Sequence, residues 1–197
     1  MSMRLPLLPT LIVGTAVAVM LGLGVWQLSR AREKEALLVR YDQAASLPPV
    51  SWPSMPPAED RLPLFRHSAA MCLEPVGTKV VAGRNRAGES GYSHLVDCRT
   101  STEGPGLRVD IGWSRDPKAG ASWKGGSVSG IIAPDREQRM RLVATAGLAG
   151  LEPSAPPSPA DIPNNHRSYA VQWFLFAAAA LIIYGLALRG RRQEKVS

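Results

Sequence analysis

The chain of 197 residues is poor in the side chains that do chemistry, with two cysteines and three histidines. It has no Cys-x-x-Cys pair, no Cys-x-x-Cys-His haem-attachment motif, no His-Glu-x-x-His zinc motif, no Gly-x-Ser-x-Gly elbow and no phosphate-binding glycine loop. These absences leave no support for a c-type cytochrome, a zinc or serine hydrolase, or a nucleotide triphosphatase. Acids and histidines do not gather as a catalytic set would, so the chain does not read as an enzyme. Aromatics make up only 6% of residues. No Arg/Lys stripe interleaved with aromatics is present, so nucleic acid is not an expected partner.

The second absence is local. Residues 5–29 and 168–188 contain no Asp, Glu, Lys or Arg. A bilayer core about 30 Å thick takes about 20 helical residues. Both runs are long enough, which excludes a soluble single domain as the leading reading and makes membrane lipid an expected partner. Residues 30–167 hold 33 of the 39 charges, room for one small folded domain. The net charge is +7, of which the two tails supply +4, so the basicity belongs to topology. Arg189, Arg191, Arg192 and Lys195 outweigh Glu194 and hold the C-terminal tail in the cytoplasm. Two spans then return Arg4 to the same side and put residues 30–167 in the periplasm of a bacterial inner membrane. Arg30, Arg32 and Lys34 point the other way, but a long loop is translocated largely regardless of its charge. Ala16-Val17-Ala18 resembles a signal-peptide cleavage site. Apolar sequence continues past it to Leu28, further than a signal peptide needs, so the segment reads as a retained helix.

The expected class is therefore membrane α+β: two transmembrane helices bracketing a small extracytoplasmic antiparallel β domain, a barrel or a sandwich. Residues 5–29 form the first span and 30–63 a juxtamembrane helix followed by a proline-rich linker. Residues 64–151 form the β domain, 152–167 a second proline-rich linker, 168–188 the second span, and 189–197 the basic tail. Leu107, Val109, Ile111 and Trp113 alternate with Arg108, Asp110 and Gly112, the period of a half-buried strand. Weaker strand patterns cover 65–73, 79–82, 92–98, 127–132 and 139–143, about six strands in all. Turns at 87–88, 103–106 and 124–126 carry glycine. Cys72 and Cys98 fall in two of these strands. They read either as a disulfide in an oxidising compartment or as two small buried thiols.

The polar residues that stand out lie at the membrane boundaries. Trp26, Gln27 and Arg30 close the first span; His166, Arg167, Tyr169, Gln172 and Trp173 open the second. Trp and Tyr belong in the interfacial belt on their own account, and the arginines can anchor to lipid phosphates. The two glutamines can bond each other or line a ligand site. A lone loop histidine is usually a surface residue, but His166 has an aromatic floor and arginines around it. Such a set suits an amphipathic ligand with an apolar body, anionic groups facing outward and a metal on the imidazole. Gly14, Ala18 and Gly22 repeat every four residues, a stripe through which the helices are expected to pack.

At these residues the chain resembles the surfeit-locus-one family of cytochrome c oxidase assembly proteins. The resemblance rests on Leu23-Gly24-Val25-Trp26-Gln27-Leu28-Ser29-Arg30 with Lys34, on Gly91-Tyr92 and Gly112-Trp113, and on Pro163-Asn164-Asn165-His166 with Tyr169-Ala170 and Gln172-Trp173. It implies an assembly factor that binds haem a at the outer membrane boundary and assists its insertion into oxidase subunit I. The partners implied are that subunit and the machinery of haem a synthesis. His166 takes the place of the family's candidate iron ligand, with Asn164 or Asn165 bonded to its other ring nitrogen. Trp26 and Trp173 would pack on the porphyrin or its tail, and Arg30 or Arg167 would meet the propionates. A membrane-anchored scaffold for oxidase subunits, without haem, is the alternative. Where the family usually has an Arg-Gly-Trp-Val-Pro-like stretch, this chain has Asp110-Ile111-Gly112-Trp113-Ser114-Arg115.

Overall fold

The computed structural model describes residues 6–53, 55, 57–101, 106–120 and 122–193. Arg4, Leu5, most of the expected turn at 103–106 and the tail from Glu194 onward lie outside the described residues. The chain divides into two compact units, a helix pair (to Leu37 and from Pro163) and the segment Leu38–Ile162.

Helix α1 runs Leu7–Ala44 and α2 runs His166–Gln193. The first continues well past residue 29 because Ala31 to Ala44 is built from good helix formers. It stops just before Pro48 and Pro49, which cannot donate a backbone hydrogen bond. Both helices are long and apolar enough to cross a membrane. Their large side chains point outward, as at Leu11 (68% exposed) and Ile183 (67%). Inward positions on α1 are Thr10, Val13, Val17, Met20, Gly24, Gln27, Ala31 and Lys34; on α2 they are His166, Ala170, Trp173, Ala177, Ala180 and Tyr184. These steps of three and four residues are a heptad seam, which keeps one stripe of each helix against the other. The expectation for Gly14, Ala18 and Gly22 is corrected: all three are exposed, and a Cβ at Gly14 or Gly22 would meet nothing within 4 Å. A four-residue stripe drifts off a 3.5-residue seam, and Gly24, outside the stripe, takes the contact position.

The β unit is one mixed sheet of seven strands rather than an antiparallel barrel or sandwich of six. The strands are β1 Val50–Ser51, β2 His67–Cys72, β3 Glu74–Arg84, β4 Ser90–Arg99, β5 Leu107–Ser114, β6 Gly126–Asp135 and β7 Arg139–Ala144. Their order is β1-β2-β6-β7-β5-β4-β3. The β6–β7 hairpin inserts β7 beside β5 in parallel, and β1 adds parallel to β2. Only Leu73 separates β2 from β3, which lie toward opposite ends of that order, so the sheet coils back on itself. Cys72 and Cys98 are joined across it, with Cα atoms 5.2 Å apart.

Residues 163–167 belong with the helix pair, while the first proline-rich segment and residues 152–162 of the second lie within the β unit. Val50, Trp52 and Leu62 pack on its core, as does Ile162. Glu152 and Ser154 form bridges to Trp113 and Asn85. Strand β5 is consequently covered on both faces, where alternation implies one: Leu107 to Trp113 are all buried. Leu107, Val109 and Ile111 enter the apolar core. On the other face Arg108 pairs with Asp97 (2.7 Å), Glu137 (2.8 Å) and Asp135 (3.2 Å). At Gly112 (φ +143°) a Cβ would sit 2.6 Å from the Glu152 carbonyl oxygen, so only glycine admits the covering segment.

Beside it Asp110, 3% exposed, accepts from the Ser154 hydroxyl at 2.7 Å and the Gly112 N–H at 3.2 Å. Burial pushes its carboxyl above the usual range, only partly opposed by Ser154, Arg141, Gly112 and Ser93. An acid raised in the folded state favours folding fully below its unfolded value and loses that contribution as pH rises through the folded value. Urea midpoints of the wild type should therefore fall more steeply than those of Asp110→Asn, which keeps the acceptor oxygen without the charge, as pH rises above the usual carboxylate range. Parallel pH profiles would show that Asp110 does not titrate there.

Candidate functional site

The seam brings the C-terminal half of the first apolar run against the start of α2. His166 is the first residue of α2, and the Asn165 carbonyl accepts the Tyr169 N–H at 3.1 Å, closing the first helical turn. The His166 Nδ1 lies 2.7 Å from Gln27 Oε1. Both side chains are half-buried at seam positions. The two glutamines therefore do not pair: Gln27 meets the imidazole, and Gln172 is exposed on α2. Neither asparagine side chain is the ring's partner: the His166 Nδ1 bond goes to Gln27 Oε1, and Asn164 Oδ1 is buried with no hydrogen bond.

Charged and aromatic residues neighbour this pair along the two helices. The Arg30 guanidinium lies over Trp26 at 5.7 Å from the ring centroid and donates to Glu33 at 2.7 Å. Arg167 grips Glu35 through two bonds, Nε to Oε1 at 2.7 Å and Nη2 to Oε2 at 3.0 Å. Both ion pairs are largely exposed, so solvent screening keeps each weak and exchangeable. Trp173 is half-buried with Phe176 edge-on at 6.2 Å, and Tyr169 is exposed. Sequence reading missed the two glutamates. The spacing of Arg30 and Glu33 marks that pair as helical neighbours, but Glu35 and Arg167 are 132 residues apart and carry no local signal.

The site depends on close helix approach at Gly24. A Cβ there would lie 2.5 Å from Phe174 Cε1. Gly24→Leu should thus separate the helices, lower the unfolding temperature in detergent and pull Gln27 from His166. Gly22→Leu, with open space around it, should leave both unchanged; equal effects would mean that the seam is misplaced.

His166 is the one histidine at this end of the helix pair. His67 lies on β2. His94 is buried on β4 beside Ser114 Oγ (3.2 Å), its pKa lowered by burial against the opposing pull of Asp116. Among the described residues no three His, Cys, Asp or Glu side chains gather where they could hold a metal ion. A single imidazole with one free ring nitrogen fits iron whose other ligands come from a macrocycle, and does not fit a bare divalent ion, which needs several protein donors.

Fold and site together define a class: two apolar helices joined in sequence by a sheet unit, with an amide–imidazole pair across the helices. The family model described as the SURF1 family matches residues 14–178. The chain belongs to the SURF1 family, which is associated with cytochrome c oxidase assembly. No curated protein matches the chain.

Proposed function

We propose that this protein is a haem chaperone, not an enzyme, that binds haem a at the outer membrane boundary and assists its insertion into oxidase subunit I. The observation that carries the reading is the half-buried His166 imidazole, hydrogen-bonded to Gln27 through Nδ1 and without a partner on Nε2 among the described residues, on helix ends that also carry Trp26, Trp173, Arg30 and Arg167. His166 would hold the iron through its imidazole. Trp26 and Trp173 offer apolar surface to the macrocycle or its tail, with Tyr169 and Gln172 on the same helix end. Arg30 and Arg167 exchange Glu33 and Glu35 for the propionates, which a screened surface ion pair permits at little cost. When bound, the haem supplies the redox-active iron that the oxidase requires.

The protein sits in the bacterial cell membrane with both termini cytoplasmic and the sheet unit in the periplasm. It works beside subunit I and the enzymes that make haem a. A phosphatase that is active only in the periplasm should report activity when fused after Ala133 and none after Ser197. Purification from a host that makes haem a should yield a Soret band and extractable haem a. A colourless protein that still supports oxidase assembly would favour a scaffold without haem, a role that the pairing of both arginines with glutamates already allows.

A further inference from the structure

We infer that Gln27 is the positioning residue of the site, holding His166 in the tautomer whose Nε2 faces the ligand. The inference rests on His166 being the iron ligand and adds how the imidazole is prepared for it. A side-chain carbonyl oxygen can only accept, so at 2.7 Å from Gln27 Oε1 the His166 Nδ1 carries the proton. The lone pair is then on Nε2 alone. A histidine side chain in water prefers the opposite arrangement, with the proton on Nε2, so the bond across the seam selects the ligating form before any ligand arrives. Among the described residues Gln27 Oε1 is the acceptor on this ring, while Glu33 and Glu35 are engaged by Arg30 and Arg167.

The choice of an amide has a consequence. A hydrogen-bond acceptor behind a metal-bound imidazole orients the ring and raises its basicity. A carboxylate in that place would draw the proton much further and hold the iron in its ferric form. Gln27 is neutral, and the Glu35 carboxylate is bound at two points by Arg167. The ring is thereby oriented by a neutral partner.

The test uses the full chain in detergent, first without ligand. In ¹⁵N spectra of histidine-labelled protein at neutral ring charge, His166 should show a protonated Nδ1, assigned by its loss in His166→Ala. Gln27→Leu should shift the population toward protonated Nε2, and Gln27→Asn, with its shorter reach, should restore it only in part. An unchanged tautomer in Gln27→Leu would overturn the inference, whatever is found about haem. Iron protoporphyrin IX is then added as the probe. Gln27→Leu should weaken ferric binding about 10- to 100-fold, the usual cost of losing a ligand's outer partner. It should also lower the iron–histidine stretching frequency and raise the midpoint potential. Gln27→Glu, which preserves size and fold, should move both in the opposite direction. A purely structural glutamine would give the same frequency and potential in all variants. Probe binding that survives His166→Ala would instead refute His166 as ligand, while the ligand-free spectra would still decide the role of Gln27.

Discussion

His166→Ala is expected to remove the Soret band and the extractable haem from purified protein, with affinity for added haem falling by more than 100-fold. The estimate scales from the ligand's outer partner, whose loss alone costs about 10- to 100-fold; losing the ligand itself must cost more. The variant should stay folded and inserted, because the imidazole occupies only the first position of α2 and the seam below it consists of Ala170, Trp173, Ala177 and Tyr184. His67→Ala and His94→Ala, in the sheet unit, should leave the spectrum as it was. Unaltered haem content in His166→Ala would place the ligand elsewhere. A weakened but surviving band would mean that Trp26, Trp173 and the arginines carry most of the affinity.

The second large effect is expected at the cysteine pair. Cys72 and Cys98 enclose a sequence separation of 26 residues, and closing such a loop stabilises by about 3.5 kcal/mol in the chain-entropy model. Both sulfurs lie in the core, with Cys72 1% and Cys98 0% exposed. The double serine variant would also bury two hydroxyls among apolar neighbours, so a Cys72→Ala/Cys98→Ala pair isolates the bridge better. That pair should lower the urea midpoint of the sheet unit markedly while leaving haem bound at the helix pair. Mass shifts after alkylation with and without reductant show whether the bridge is present in protein drawn from the periplasm. Two free thiols there, or equal stability of the variant, would refute a stabilising disulfide.

The legible parts of this molecule were those governed by local composition. Two charge-free runs marked the helices, because apolar length alone decides whether a helix can span a bilayer. All six expected strands are present, since their alternation and glycine turns are local signals. The end motifs placed the polar residues of the site at matching positions and carried the family. What the sequence could not yield was decided by packing between distant segments. Gln27 meets His166 rather than Gln172, and Glu35 meets Arg167, only because the heptad seam sets the rotation of each helix. That seam was hidden by the more conspicuous Gly14-Ala18-Gly22 spacing. In the sheet unit, the parallel β5–β7 contact and the burial of Arg108 and Asp110 follow from how the strands are ordered and what lies over β5. A period-2 pattern states which side chains share a face of a strand. Whether that face meets water is settled by whatever the rest of the chain lays against it.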